Sequence, residues 1–188
     1  MKKTLVFSIS VIVFASLPQL AHAAPKTSFG NGTYTVGKQI APGIYRSKST
    51  ITGSGLCYWS ISTSGSNGND ILQNDNSPGG VITLNLQSGQ DIENSCGNFV
   101  KSSLTAKRGT PKTTFGNGVW LVGIDIAPGS YGVVKDVLGG HCYLAISTAG
   151  SNNADIIANN NYTRGMPSVS LAAGQEFYNH GCGTFKPN

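Results

Sequence analysis

Residues 25–45 read PKTSFGNGTYTVGKQIAPGIY, and residues 111–131 read PKTTFGNGVWLVGIDIAPGSY. The core of the first stretch, GNGTYTVG (30–37), spaces its glycines like a phosphate-cradling loop. Such a loop needs a helix N-terminus whose amides and dipole hold the anion. A Walker loop also needs Gly-Lys-Ser/Thr. Here Gly37 is followed by KQIAPG and Gly123 by IDIAPG, with a Pro-Gly pair and no helical periodicity. The stretch therefore marks strands and turns, and a nucleotide-binding reading is set aside.

Two further segments repeat. CYWSISTSGSNGNDILQNDN (57–76) returns as CYLAISTAGSNNADIIANNN (142–161), and GQDIENSCGNF (89–99) returns as GQEFYNHGCGTF (174–185), with one residue inserted around His180. The period is too long for a solenoid unit and suits a duplicated small domain. The expected organisation is a signal peptide over 1–23, a first β domain over 24–101, a basic linker over 102–110 and a second β domain over 111–188. The leader rests on Lys2 and Lys3, an apolar run over 5–20 and small residues at Ala21 and Ala23. That run is too short and too interrupted for a spanning helix of about 20 apolar residues, so the mature chain is expected to be exported with no membrane span.

Export makes the cysteines informative. There are four, Cys57, Cys96, Cys142 and Cys182, and four cysteines permit three pairings. The repeat places one pair in each half, which favours Cys57–Cys96 and Cys142–Cys182. Each bridge would close a loop of about 40 residues, stabilising by about 3–4 kcal/mol in the chain-entropy model. A domain of this size buries only about 60% of its unfolded surface, so such a staple matters.

No stretch of the mature chain sustains helical apolar spacing, whereas short alternating segments recur between Gly, Asn, Ser and Pro clusters. In 57–63 the alternation puts Cys57, Trp59, Ile61 and Thr63 on one face and Tyr58, Ser60 and Ser62 on the other. In 81–86 Ile82, Leu84 and Leu86 point inward, with Val81, Thr83 and Asn85 outward. Asn31-Gly32 and Asn117-Gly118 read as two-residue type I′ hairpin turns. Ala41-Pro42-Gly43-Ile44 and Ala127-Pro128-Gly129-Ser130 read as type II turns. The fold class expected is all-β: two tandem small antiparallel sandwich or barrel-like domains, each with one disulfide.

Charge excludes one class of partner. The formal +5 includes Lys2 and Lys3, each mature half is neutral, and the surplus is Lys101, Lys107 and Arg108 between the halves. Neither half has the basic face that nucleic-acid binding requires. The basic stretch reads as a solvated linker, with Lys107-Arg108 as a protease-accessible pair.

Catalytic signals are thin. His141 and His180 occur only in the second repeat, so a hydrolase would be confined there. His141-Cys142 and His180-Gly181-Cys182 have the residue types of a zinc site, but oxidised cysteines and the opposite faces of adjacent strand residues argue against one. Asp70 and Asp155, in SNGNDI (66–71) and SNNADI (151–156), could serve calcium or simply close Asx turns. No cofactor is expected. The best binding candidates are Tyr58 and Tyr143, which lie opposite the cysteine stripe in both repeats and can stack on sugars or proteins. Trp59, replaced by Leu144, reads as core, and Asn31 and Asn161 fit glycosylation sequons that matter only in a eukaryotic host.

FGNGTYTVGKQIAPGIYRS, CYW, DIIANN and GCGTF together resemble a family of exported modules common in secreted proteins and lipoproteins of actinobacteria and other Gram-positive bacteria. Its pattern runs G-D/N-G-x-Y-x-V-G-x-D-I-x-P-G-x-Y, then C-Y-W, then I-I-A-N, then C-G-x-W. The resemblance covers nearly all of both halves and implies location and a stable fold, not chemistry. Gln39 stands where the pattern has Asp, Leu144 where it has Trp, and Phe99 and Phe185 where it ends in Trp. The function expected is a secreted, non-catalytic binding or structural module at the cell envelope or outside the cell. Cell-wall or host glycans and proteins are its candidate partners. A hydrolase in the second repeat and a secreted protease inhibitor are the alternatives.

Overall fold

The computed structural model describes residues 23–48, 51, 57–77, 79–107, 109–151 and 154–188. The expected leader, apart from its last residue, and Arg108 lie outside the described residues. No helix occurs among the described residues, and the strands form antiparallel sheets.

The first repeat contains β1 (Ser28–Phe29), β2 (Gly32–Thr35), β3 (Gly43–Ser47), β4 (Cys57–Thr63), β5 (Ile71–Ser77), β6 (Thr83–Leu86), β7 (Gln90–Asn94) and β8 (Phe99–Lys101). They form two sheets, β1-β8-β3-β6 and β2-β7-β4-β5. The second repeat contains β9 (Gly118–Leu121), β10 (Gly129–Val133), β11 (Val137–Thr148), β12 (Ile156–Gly165), β13 (Ser168–Leu171), β14 (Gln175–His180) and β15 (Phe185–Pro187). Its sheets, β13-β10-β15 and β12-β11-β14-β9, repeat the same order, with a Phe115↔Phe185 bridge in place of β1. We call them the narrow and the wide sheet of each repeat.

Each sandwich buries one core between its sheets. In the first, Phe29, Tyr45, Leu84, Leu86 and Phe99 of the narrow sheet meet Trp59, Ile61 and Ile92 of the wide sheet. In the second, Phe115, Tyr131, Leu171 and Phe185 meet Trp120, Leu144 and Phe177. Phe99 and Phe185 are fully buried and stack on Phe29 and Phe115, which suits hydrophobic exchange at those positions. Disulfides Cys57–Cys96 and Cys142–Cys182 tie β4 and β11 to the loops after β7 and β14.

The quoted repeat motif is what joins the two sheets, and here the turn readings need correction. Asn31-Gly32 is not a hairpin turn: β1 pairs with β8 and β2 with β7, so the chain crosses between sheets at this point. A type I′ turn needs φ > 0 at both central residues, and of this pair only Gly32 has it. Asn31 serves differently. Its Oδ1 accepts the Gly97 N–H at 2.7 Å, and Asn117 Oδ1 accepts the Gly183 N–H at 3.3 Å, so each anchors the loop of its disulfide. Gly43 and Gly129, at φ +139° and +153°, are further round than the roughly +80° of a type II turn. The carbonyls of Ala41 and Ala127 instead accept the buried hydroxyls of Tyr45 and Tyr131, each at 2.7 Å.

The alternation reading also needs correction at one face. Val81 and Thr83 point out of the first sandwich, yet both are buried, as is Arg46 beside them. They are covered by the second repeat. The narrow sheet of the first repeat lies on the outer face of the second repeat's wide sheet, where Val119, Ala145 and Tyr178 form an apolar cluster. Val81 N–H donates to Val119 O, and Val119 N–H donates to Gly79 O. The backbones touch through glycines: a Cβ on Gly80 would stand 2.6 Å from Val119 N, and one on Gly118 would stand 2.6 Å from Gly80 Cα. Part of the expected linker joins this seam too. Ala106 O accepts Arg46 Nη1, and the Leu104 side chain lies against Gly150.

Arg46 is the centre of the seam. It is fully buried, and its Nη2 donates to both carboxylate oxygens of Asp125 (2.6 Å to Oδ1). Asp125 also accepts the Leu121 N–H at 3.0 Å, so it holds its own turn and the neighbouring repeat together. Gln39 plays only the first role, accepting the Thr35 N–H at 2.7 Å. Glu176 is buried beside this pair. Burial pushes its carboxyl up to about 7, with Asp125 adding to the shift, against a hydrogen bond from Gly150 N–H and the Arg46 charge.

Two outcomes follow from the seam. Arg46→Ala should destabilise the mature protein by about 3–5 kcal/mol, because it strands a buried carboxylate, and a paired Arg46→Met/Asp125→Leu change should cost less. Denaturant midpoints of the three proteins check this. Because Glu176 has a raised pKa, its stabilising contribution is complete below pH 4.5 and is lost as pH rises to about 7. The loss should be roughly 3 kcal/mol and should disappear in Glu176→Gln, as read by denaturation at pH 5 and pH 8.

Candidate functional site

Tyr58 lies on β4 and Tyr143 at the equivalent place on β11, both on the outer face of a wide sheet and both half-buried. The cross-strand neighbours are conserved between repeats. Asn74 Nδ2 donates to Tyr58 Oη at 3.5 Å, and Asn159 Nδ2 donates to Tyr143 Oη at 3.4 Å. The surroundings are not conserved, and that difference defines the site.

In the second repeat the outer face of the wide sheet carries Val119, Leu121, Ala145 and Tyr178, all buried. Tyr143 packs on this cluster, its ring edge-on to Tyr178 at 5.8 Å. Tyr178 in turn donates from Oη to Asp75 of the first repeat at 3.3 Å. Burial raises the Tyr178 phenol, helped by the Asp75 charge, and burial likewise raises Asp75. Tyr143 is therefore tied to the seam.

In the first repeat the same positions are Thr33, Thr35, Ser60 and Glu93. They leave a polar hollow of about 340 Å³ lined by Thr33, Ser60, Ser62, Asp91 and Glu93, with Asn67 and Gly68 at its rim. The registers Ser60↔Glu93 and Ser62↔Asp91 place these groups side by side, and Ser60 Oγ donates to Glu93 Oε2 at 3.5 Å. Ser60 and Ser62 are buried in the floor of the hollow. Burial pushes Asp91 up. Hydrogen bonds from Thr35, Gly65 N–H and Ser64, with the charge of Lys38, outweigh it and hold Asp91 below the usual carboxylate range. Tyr58 shares this face by alternation along β4. The result is a shallow surface of hydroxyls and carboxylates with an aromatic ring beside it. Only Tyr58 of this set stood out in the sequence. The signal for the rest lay in comparing outward positions between repeats, polar in one and apolar in the other.

The other candidates are placed as follows. Asp70 and Asp155 each accept a hydrogen bond from the Thr63 or Thr148 hydroxyl, and their own amides donate to Ser66 and Ser151 Oγ at 3.4 Å, so each carboxylate ties its loop to the preceding strand. Among the described residues no three metal-ligating side chains gather. The His180 ring lies 6.3 Å from that of Tyr178. The side chain of His141 lies outside what is described.

Fold and disulfides define a class: a disulfide-stapled β-sandwich module in two docked copies. The model of the Rv1352-like extracellular domain matches residues 26–97 and again residues 112–186. The chain belongs to that family and acts outside the cell. No curated protein shows significant similarity to it.

Since Tyr143 packs in the seam and Tyr58 on an open face, Tyr143→Ala should lower stability by about 1–2 kcal/mol and Tyr58→Ala clearly less. Thermal or denaturant unfolding of the two variants distinguishes them.

Proposed function

We propose that the protein is a secreted, non-catalytic binding module at the cell envelope or in the extracellular space, and that the open wide sheet of the first repeat is its ligand face. The observation behind this reading is the divergence of one surface between two copies of a fold. Where the second repeat uses Val119, Ala145 and Tyr178 for docking, the first presents Thr33, Ser60 and Glu93 beside Tyr58 and Asp91. Hydroxyls and carboxylates that exchange hydrogen bonds, flanked by an aromatic face, suit a polyhydroxylated ligand. Cell-wall or host glycans are the ligand class. The ring of Tyr58 would stack on a sugar face while Asp91 and Glu93 accept from its hydroxyls.

The hydrolase alternative has less support. Cys182, the strong nucleophile nearest His180 in sequence, is held in a disulfide, and the first repeat has no histidine at either place.

A glycan array and an envelope pull-down with the mature chain test the proposal. Tyr58→Ala and Asp91→Asn should each weaken the strongest signal about tenfold, on the order of 1.4 kcal/mol. Glycan and envelope binding unchanged by both variants would remove this face as the ligand site. Hydrolysis of a bound glycan that is lost in His180→Ala would favour the enzyme instead.

A further inference from the structure

The second sandwich has a gap between its sheets that the first sandwich closes. A cleft of about 310 Å³ opens between the edges of β12 and β13, with Leu144 at its floor. Ile146, Tyr162 and Val169 form its walls, each half-buried, and Ala158 and Asn160 are exposed at its mouth. The equivalent positions of the first repeat are Trp59 at the floor, Ile61, Ser77 and Leu84 at the walls, and Gln73 and Asp75 at the mouth. There Ile61 is 1% exposed and Leu84 0%.

Two aromatic groups account for that closure. Trp59 fills the space from inside and is 5% exposed. Tyr178 of the second repeat reaches its rim, donating its hydroxyl to Asp75 at 3.3 Å. Neither group has a counterpart in the second repeat. Leu144 replaces the indole, and Asn160 at the mouth is exposed where its equivalent, Asp75, accepts a tyrosine hydroxyl. The seam glycine shows the same asymmetry: Gly80 is pressed against Val119, while a Cβ on its equivalent, Gly165, would meet nothing within 4 Å. Tyr162, standing in place of Ser77, takes up part of the lost volume and leaves its ring along one wall.

We infer that this cleft is a binding site for a small uncharged aromatic ligand, an indole or phenol ring bearing an N–H or O–H donor. The first repeat shows which chemistry fills such a space. Leu144, Ile146 and Val169 offer an apolar bed, and Tyr162 offers a ring for offset or edge-on contact. Asn160 sits where Asp75 accepts the Tyr178 hydroxyl, and its amide oxygen can accept a donor without demanding a charge. A volume near the lower end of small-molecule sites limits the ligand to one or two rings. This inference does not rest on the glycan-binding reading, which concerns the other repeat.

The test is an NMR titration of the mature, oxidised protein with indole, with cyclohexanol as the aliphatic control. Saturable shifts are expected at the methyls of Leu144, Ile146 and Val169, with those of Ile61 and Leu84 unmoved. Cyclohexanol should bind at least tenfold more weakly. Leu144→Trp should place an indole in the cleft and raise the indole Kd at least tenfold. Ala158→Phe, which blocks the mouth from an exposed position, should do the same without touching the core and decides the matter if Leu144→Trp does not fold. No saturable shift up to the solubility of indole would overturn the inference, as would binding unaltered in Ala158→Phe. Cyclohexanol binding as tight as that of indole would overturn the aromatic assignment.

Discussion

A guanidinium cannot shed its charge, and Arg46 is buried entirely. Its position is tenable only where a carboxylate meets it, and Asp125 of the other repeat does so through both oxygens. That requirement fixes how the two sandwiches sit. Asp125 is already held by the Leu121 N–H, so the ion pair links a turn of the second repeat to a strand of the first with little freedom to slide. Desolvating both ions is costly, and the pair alone is a poor source of net stability. The favourable area comes from Val119, Ala145 and Tyr178, while the charges select one register. Glu176 shares the same dry region, where Arg46 is already neutralised by Asp125. Burial of a second carboxylate there, with the Asp125 charge beside it, outweighs the pull of Arg46, so its proton is retained to higher pH.

Docking in this way turns a duplication into a division of labour. Each repeat has a narrow and a wide sheet, and the seam uses the narrow sheet of the first and the wide sheet of the second. Such a head-to-tail contact is heterologous and would propagate if the remaining faces matched. They do not match. The free wide sheet carries Thr33, Ser60 and Glu93 instead of Val119, Ala145 and Tyr178, and the free narrow sheet carries Gly132 where the first has Arg46. Neither of these faces carries the residues that build the seam, so neither is committed to this mode of packing.

The sandwich itself was largely legible. Alternating segments, paired cysteines and a long repeat led to an all-β, doubly stapled chain because these signals depend on local periodicity and on counting. Turn chemistry was less legible. Asn-Gly between two apolar segments suggests a hairpin, but Phe29 and Tyr34 enter opposite sheets, and pairing partners are a matter of distant sequence. The candidate ligand face was only partly legible. Tyr58 and Tyr143 matched in sequence, and nothing in either segment alone says that one packs against Tyr178 and the other beside a polar hollow.

Composition, the apolar N-terminal run and duplication pointed by themselves to an exported chain of two β domains, the cysteine pairs and the core role of Trp59, Phe99 and Phe185. Those features follow from residue type, from comparing one repeat with the other and, for Phe99 and Phe185, from the resemblance to the family pattern. Only the tertiary structure decided that Val81 and Thr83 are covered, that Arg46 is buried against Asp125, and that among the described residues one wide sheet carries a polar hollow while its twin is docked. The physical reason is that burial of an outward-facing residue is a property of its neighbour across the seam. That neighbour lies 79 residues away in the case of Arg46 and Asp125, beyond the reach of any local pattern.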